Sequence, residues 1–297
     1  YSLDVLPQEF PTWGTGDYRS TALIVRGQDG TTACDLRYRG YRILSGKYGL
    51  SGLPAVYGAE KEAQTLEVVL EDGRTGIQVT LLYGVLPKYD VITRSAQIIN
   101  TKENIIYLEK AASACLDFVT GKYDVISFYG RHAMERNYQR IPVSHGNYVI
   151  GSRRGTSSHQ YSPFLILTEE GTTEDAGACY AMSFVYSGGF KAEVEKDQFG
   201  QTRMQMGLQE EQFSYPLKKG EEFVIPEVIL TCSNQGLEKL SQNLQRCIRK
   251  NLCRGKYKEK VRPVLINSWE ACYFDFTGED IYHLAEQAKD LGIDMVV

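Results

Sequence analysis

The chain has 297 residues, 42% of them hydrophobic and 24% charged, with a formal net charge of −4. This is ordinary globular composition, which excludes disorder, and the acidic balance excludes a nucleic-acid footprint over the whole surface. No window approaches the roughly 18 apolar residues of a membrane span, and the length admits two domains or one unusually large β domain.

Tyr1-Ser2-Leu3-Asp4 offers neither the basic nor the apolar region of a signal peptide, and no initiator Met precedes it, so a segment upstream is expected. From about residue 20 to 231 the period is two. The first strand candidate is 21–26. Leu66, Val68 and Leu70 then alternate with Glu67 and Glu71, and Ile77, Val79, Leu81, Tyr83 and Val85 alternate with Gln78, Thr80 and Gly84. An Asp72-Gly73 turn signal between these runs predicts a hairpin. Further strands are predicted over 90–99, 104–118, 123–129, 163–168, 178–187, 190–196 and 222–231, most of them punctuated by Gly, Asp or Asn. About ten strands without an intervening helix predict a large antiparallel sandwich.

After Asn234 the period changes. Leu237, Leu240, Leu244, Cys247, Ile248 and Leu252 make one face of an amphipathic helix over about 235–254, with Gly255 as its C-terminal cap. The apolar Val264-Leu265-Ile266 follows Arg262-Pro263. Thr277 is the expected N-cap of a second helix, with Asp280 at the capping-box position and Gly292 at the end. Ile293–Val297 reads as a buried parallel strand. A two-stranded parallel sheet cannot bury both its faces, so the chain is expected to stop inside an α/β domain.

The seven cysteines, at 34, 115, 179, 232, 247, 253 and 272, form no C-x-x-C pair and read as free thiols in a reducing compartment. Cytoplasm is the expected location. Four scattered histidines, at 132, 145, 159 and 283, lack metal-ligand spacing, so no metal is expected. Neither a dinucleotide fingerprint nor a phosphate loop is present, and no cofactor is expected. The basic stretch from Arg246 to Arg262 reads as a solvated helix face and linker, since Tyr257 is its one interleaved aromatic. The polar segment Gly151–Gln160 pairs Ser158 with His159 without a nucleophile elbow, and reads as a structural loop or subunit contact. Trp269–Phe276 is the sharpest segment. It follows a predicted strand at its carboxyl end, where (β/α)8 barrels build active sites and where an indole can stack on a sugar. Core packing of Trp269 is the alternative.

Val264-Leu265-Ile266-Asn267-Ser268-Trp269-Glu270-Ala271-Cys272-Tyr273-Phe274-Asp275-Phe276 resembles the start of the catalytic barrel in bacterial α-galactosidases of glycoside hydrolase family 36. Leu53-Pro54-Ala55, Asp90–Ser95, Ser157–Gln160, Phe184–Gly188, Val194 with Asp197–Gly200, and Ser233–Leu237 are similar to family motifs in the family's order. The resemblance therefore covers essentially the whole chain. It implies a mainly β fold: an antiparallel β-supersandwich over 1–232, a linker helix over 233–261, and the first β-α-β of a (β/α)8 TIM barrel over 262–297. It also implies retaining hydrolysis of terminal α-1,6-linked galactose from melibiose- and raffinose-type oligosaccharides, without a cofactor. The nucleophile and acid/base aspartates are implied to lie beyond Val297, which would leave this chain inactive alone. Trp269 and His132 are implied to contact substrate, although many relatives carry Trp at the position of His132, and His offers a smaller face. Ser268 and Cys272 also depart from the usual Asn and Thr. A homotetramer is implied, with Asp17, Arg19, Arg153 and His159 as candidate subunit contacts. The competing class is a non-catalytic carbohydrate-binding or oligomerisation module.

Overall fold

The computed structural model describes residues 3–297; Tyr1 and Ser2 lie outside the described residues. The chain divides into two compact units, one ending at Leu252 and the other spanning Cys253–Val297.

In the first unit β1 (Leu23–Gly27), β2 (Arg37–Ser45), β3 (Gln64–Asp72), β4 (Ile77–Leu86), β5 (Val91–Asn100) and β6 (Ile106–Phe118) come first. Next are β7 (Tyr123–Arg131), β8 (Met134–Pro142), β9 (Gly146–Gly151), β10 (Tyr161–Glu169) and β11 (Cys179–Val185). Then come β12 (Phe190–Lys196), β13 (Thr202–Leu208), β14 (Tyr215–Leu217), β15 (Glu222–Val224) and β16 (Glu227–Ser233). One sheet has ten strands, ordered β2-β3-β4-β5-β16-β11-β10-β7-β8 with β15 beside β5. The other has six, ordered β1-β6-β13-β12-β9 with β14 beside β6. Every pairing between these strands is antiparallel.

The period-two pattern explains the layering, because alternate residues of one strand enter different cores. Ile77, Val79 and Leu81 of β4 pack with Ala96 and Ile98 of β5 and with Ile106 and Leu108 of β6. Leu165 and Leu167 of β10, Met182 of β11 and Val228 of β16 pack against Phe190, Val194, Met204 and Met206 of the six-stranded sheet. Their neighbours Ile126, Ile166, Ala181 and Ile229 point the other way, into a third core. α1 (Gly236–Cys247) supplies Leu237, Leu240, Leu244 and Cys247 to that core. The helix expected to be a linker is thus the lid of the large sheet. It also ends earlier than expected: a π-helical turn, Ile248–Leu252, closes it, and Gly255 lies beyond in the second unit. The single strand expected over 222–231 is two strands, broken at Pro226, whose ring cannot donate to a ladder.

Two buried ionic groups reinforce these sheets, one tying a loop to the larger and one linking strands of the smaller. Lys47 Nζ donates to Glu227 Oε2 at 2.6 Å with both side chains at 0% exposure, while Glu227 Oε1 accepts the Val56 N–H at 2.7 Å. Burial pulls the Lys47 ammonium down to about 8 despite the attraction of Glu227. A methyl built on Gly84 would overlap the Lys47 stem, so this strand position must be glycine for the lysine to pass. On the six-stranded sheet, Glu193 of β12 meets Lys110 of β6 at 2.8 Å and Lys191 at 3.0 Å. Burial alone would raise the Glu193 carboxyl, but Lys110, Lys191 and Asn147 hold it down to about 2. Because the folded state depresses this acid from 4.5, its contribution is complete above pH 4.5 and is lost as pH falls toward 2. The shift corresponds to about 3 kcal/mol. Glu193→Gln should lower stability at pH 7 and flatten the pH 4.5-to-2 limb in urea titrations; an unchanged limb would refute the assignment.

The second unit is a strand–helix–strand. β17 (Leu265–Ile266) and β18 (Met295–Val296) pair in parallel, as the sequence predicts, with α2 (Trp269–Cys272) and α3 (Gly278–Asp290) between them. Thr277 and Asp280 form the predicted capping box of α3, and Gly292 follows it at φ +73°. Among the described residues no helix is long and apolar enough to cross a membrane.

Candidate functional site

At the carboxyl end of β17, Ser268 N–H donates to Val297 O at 2.7 Å, extending the parallel register by one residue. The Asn267 side-chain oxygen then accepts the Trp269 N–H at 2.8 Å. This Asx turn bends the backbone into the short α2. Tyr273, at φ +49°, stops the helix after one turn and throws the next residues outward. The result is an aromatic cluster. The Trp269 ring meets Tyr273 at 5.5 Å and Phe274 at 4.8 Å between centroids, both nearly perpendicular. Edge-to-face packing at these distances fixes the rings relative to one another. Trp269 is 43% exposed and Phe274 87%. The cluster is equipped to stack on an apolar ring face. Glu270 and Asp275 are exposed beside it in sequence.

His132 belongs to the first unit. It stands exposed at the tip of the β7–β8 hairpin, in the tight turn that joins the two strand ends. Ala133 takes φ +61° there, and its N–H donates to Glu135 Oε1 at 2.9 Å.

Asp17 and Arg19, expected at a subunit contact, are buried within the chain. Arg19 Nε meets Asp17 at 2.9 Å, Arg203 bridges Asp17 at 2.8 Å and Asp117 at 2.7 Å, and Arg19 also donates to the Leu6 carbonyl at 2.7 Å. Burial opposes the Asp17 charge, but hydrogen bonds from Arg19 and Arg203 pull its carboxyl below the usual range. The pair clamps the N-terminal segment onto β6 and β13 and offers nothing to a partner. Its internal partners, Asp117 and Arg203, are distant in sequence and carry no local signal. Arg153 and His159 do lie on the exposed 152–160 loop, where Arg153 pairs with Glu211.

Arg153 also lines a groove of about 590 Å³ with Tyr186, Gln209, Gln212, Phe213 and Phe223. Sequence reasoning singled out only Arg153 of these residues, because hairpins bring the others together from three separate stretches. Among the described residues, no group of three or more His, Cys, Asp or Glu could hold a metal ion.

Residues 1–218 match the glycosyl hydrolase family 36 N-terminal domain, and residues 222–297 match the melibiase family. The bifunctional alpha-galactosidase/sucrose kinase AgaSK of Mediterraneibacter gnavus is 61% identical over 100% of this chain and 32% of its own length. Alpha-galactosidase AgaA of Geobacillus stearothermophilus is 45% identical over 100% of the chain and 41% of its own. The solved galactosidase domain of AgaSK superposes with a TM-score of 0.95 at 61% identity, covering 100% of this chain and 41% of that one. A Geobacillus AgaA variant solved with raffinose superposes at 0.96 with 44% identity and the same coverage. The chain therefore spans between 32% and 41% of these relatives. With both family matches in sequence order and covering nearly every residue, the chain belongs to glycoside hydrolase family 36.

Proposed function

We propose that the protein carrying this chain is an α-galactosidase that removes terminal α-1,6-linked galactose from raffinose- and melibiose-type oligosaccharides with retention of configuration. The observation that carries this reading is the match of residues 222–297 to the melibiase family, within which the Trp269 cluster stands at the carboxyl end of β17. Relatives named as alpha-galactosidases, one of them solved with raffinose and one with stachyose, support the substrate class. In this reading β17, α3 and β18 open a (β/α)8 barrel, and Trp269 walls the galactose subsite. His132 contributes a hydrogen bond or a small stacking face. Retention requires a nucleophilic carboxylate and an acid/base about 5–5.5 Å apart. No carboxylate of this chain matches the family motifs for either role, so both are assigned to parts of the protein outside these 297 residues. We further assign the enzyme to the cytoplasm, as a cofactor-free homotetramer with His159 among its subunit contacts.

Incubating the intact protein with an aryl α-galactoside should release galactose, with the α-anomer formed first by NMR. Sedimentation of the same preparation should give a tetramer. Absence of galactose release would leave only the non-catalytic module. The 297-residue chain by itself should be inactive in the same assay.

A further inference from the structure

The groove in the first unit lies at the margin of two cores: Phe213 and Phe223 pack on one and Tyr186 on the other, and each leaves part of its ring uncovered. Its walls come from the loop after β9, the turn between β11 and β12, the segment after β13, and β15. Tyr186, Phe213 and Phe223 are each only half-buried and supply flat apolar surface. Gln209, Gln212, Arg153 and Glu211 supply planar amide, guanidinium and carboxylate groups, each able to present two hydrogen-bonding atoms in one plane. The volume of about 590 Å³ falls within the range of small-molecule sites, about 300–1,000 Å³.

The polar groups are held in place. The backbone N–H of Gln209 donates to Gly189 O at 3.2 Å, and its side-chain oxygen accepts the Glu211 N–H at 3.2 Å. Gly189 lies so close to this wall that a methyl on it would stand 3.1 Å from Ser152 O and 3.3 Å from the Gln209 Cβ. Gln212 takes φ +62°, a left-handed conformation that a side chain adopts only at a cost. Glycine would be the relaxed choice there, yet a glutamine stands at this position in the groove wall.

The charge pattern narrows the ligand. Arg153 and Glu211 pair with each other, so an anion would meet the carboxylate and a cation the guanidinium. A purely apolar ligand would strip water from two glutamines without replacing their hydrogen bonds. A neutral polyhydroxylated ring meets both demands, with its C–H face on an aromatic side chain and its hydroxyls on the planar polar groups.

We propose that this groove is a carbohydrate site, which holds a neutral oligosaccharide of two or three rings on the β unit. None of its residues belongs to the Trp269 cluster, so the test below reads it apart from hydrolysis. The test is titration of raffinose into the intact protein with 1-deoxygalactonojirimycin saturating the active site. Saturable raffinose binding should persist. Tyr186→Ala should weaken it at least about tenfold, and Gln212→Gly should weaken it while leaving the melting temperature equal or higher. Hydrolysis of an aryl α-galactoside, followed on the same preparations, should be unchanged in both variants. Loss of raffinose binding once the inhibitor is bound overturns the proposal. So does residual binding that neither variant alters. If Tyr186→Ala does not fold, Gln212→Gly decides alone. A protein that binds raffinose through Tyr186 yet releases no galactose would instead overturn the galactosidase reading and leave this one standing.

Discussion

Trp269→Ala in the intact protein should lower kcat/KM for an α-galactoside by about 100-fold, equivalent to about 2.7 kcal/mol of transition-state stabilisation. The argument rests on what the side chain touches. Its ring neighbours in this unit are Tyr273 and Phe274, at the carboxyl end of β17, where a barrel of this kind builds its active site. Truncation therefore removes a wall that orients a sugar, and misplacing the reacting bond costs rate. Thermal stability should move by less than about 1 kcal/mol, as expected of a pocket wall that fills no core. Trp269→Phe should regain part of the activity, because a smaller flat face still packs on C–H groups. A variant with normal kinetics and a large loss of stability would return Trp269 to the core.

The largest effect on stability is expected at Glu227. Glu227→Ala leaves the Lys47 ammonium buried without its counter-charge and the Val56 N–H without its acceptor. Removing one member of a buried pair typically costs about 3–5 kcal/mol. The remaining contacts of Lys47, the Tyr48 carbonyl at 3.0 Å and the Tyr48 ring at 3.0 Å, cannot replace a carboxylate. Lys47→Met together with Glu227→Gln should recover most of the loss, since Gln keeps an acceptor for Val56 and no charge stays buried. Urea unfolding of the two single variants and the double variant checks this. A double variant no more stable than Glu227→Ala would refute the pairing argument.

The sequence showed most strands in which one face is apolar and the other polar, as in β3 and β4, but it missed β13, where Met204, Met206 and Leu208 alternate with Arg203, Gln205 and Gly207, and the short β9 and β14. It also showed α3 and its caps, because Thr277, Asp280 and Gly292 signal locally. β2 and β8 escaped notice for a physical reason. They lie at the two edges of the large sheet, and Arg37, Arg39, Arg42 or Glu135, Arg136, Arg140 keep those edges charged. Such charge blunts an edge against other chains, and it also erases the alternation. Glu227 looked like a strand's polar residue, and Gly84 like a weak point in β4. Both make sense only once Lys47 arrives from 37 residues before Gly84 in sequence, a long-range pairing that no window of sequence contains. For the candidate sites, Trp269 was legible because its neighbours are contiguous. The Asp17–Arg203 clamp and the groove were not, since sheet topology alone assembles them.

The position of β16 has a consequence for how the protein is made. In the ten-stranded sheet β16 alone joins the half β2-β3-β4-β5 to the half β11-β10-β7-β8. β5 ends at Asn100, whereas β16 begins at Glu227. At about 5–20 residues per second of synthesis, β5 waits with an open edge for on the order of ten seconds. The edge of β11 waits more briefly. Open edges recruit strands from other chains, so this is the interval in which the nascent protein is most exposed to misassembly. The two family matches meet between residues 218 and 222, yet β15, β16 and α1 all belong to the second. The β unit can close only when residues 222–252, the opening of the segment that matches the hydrolase, have cleared the ribosome.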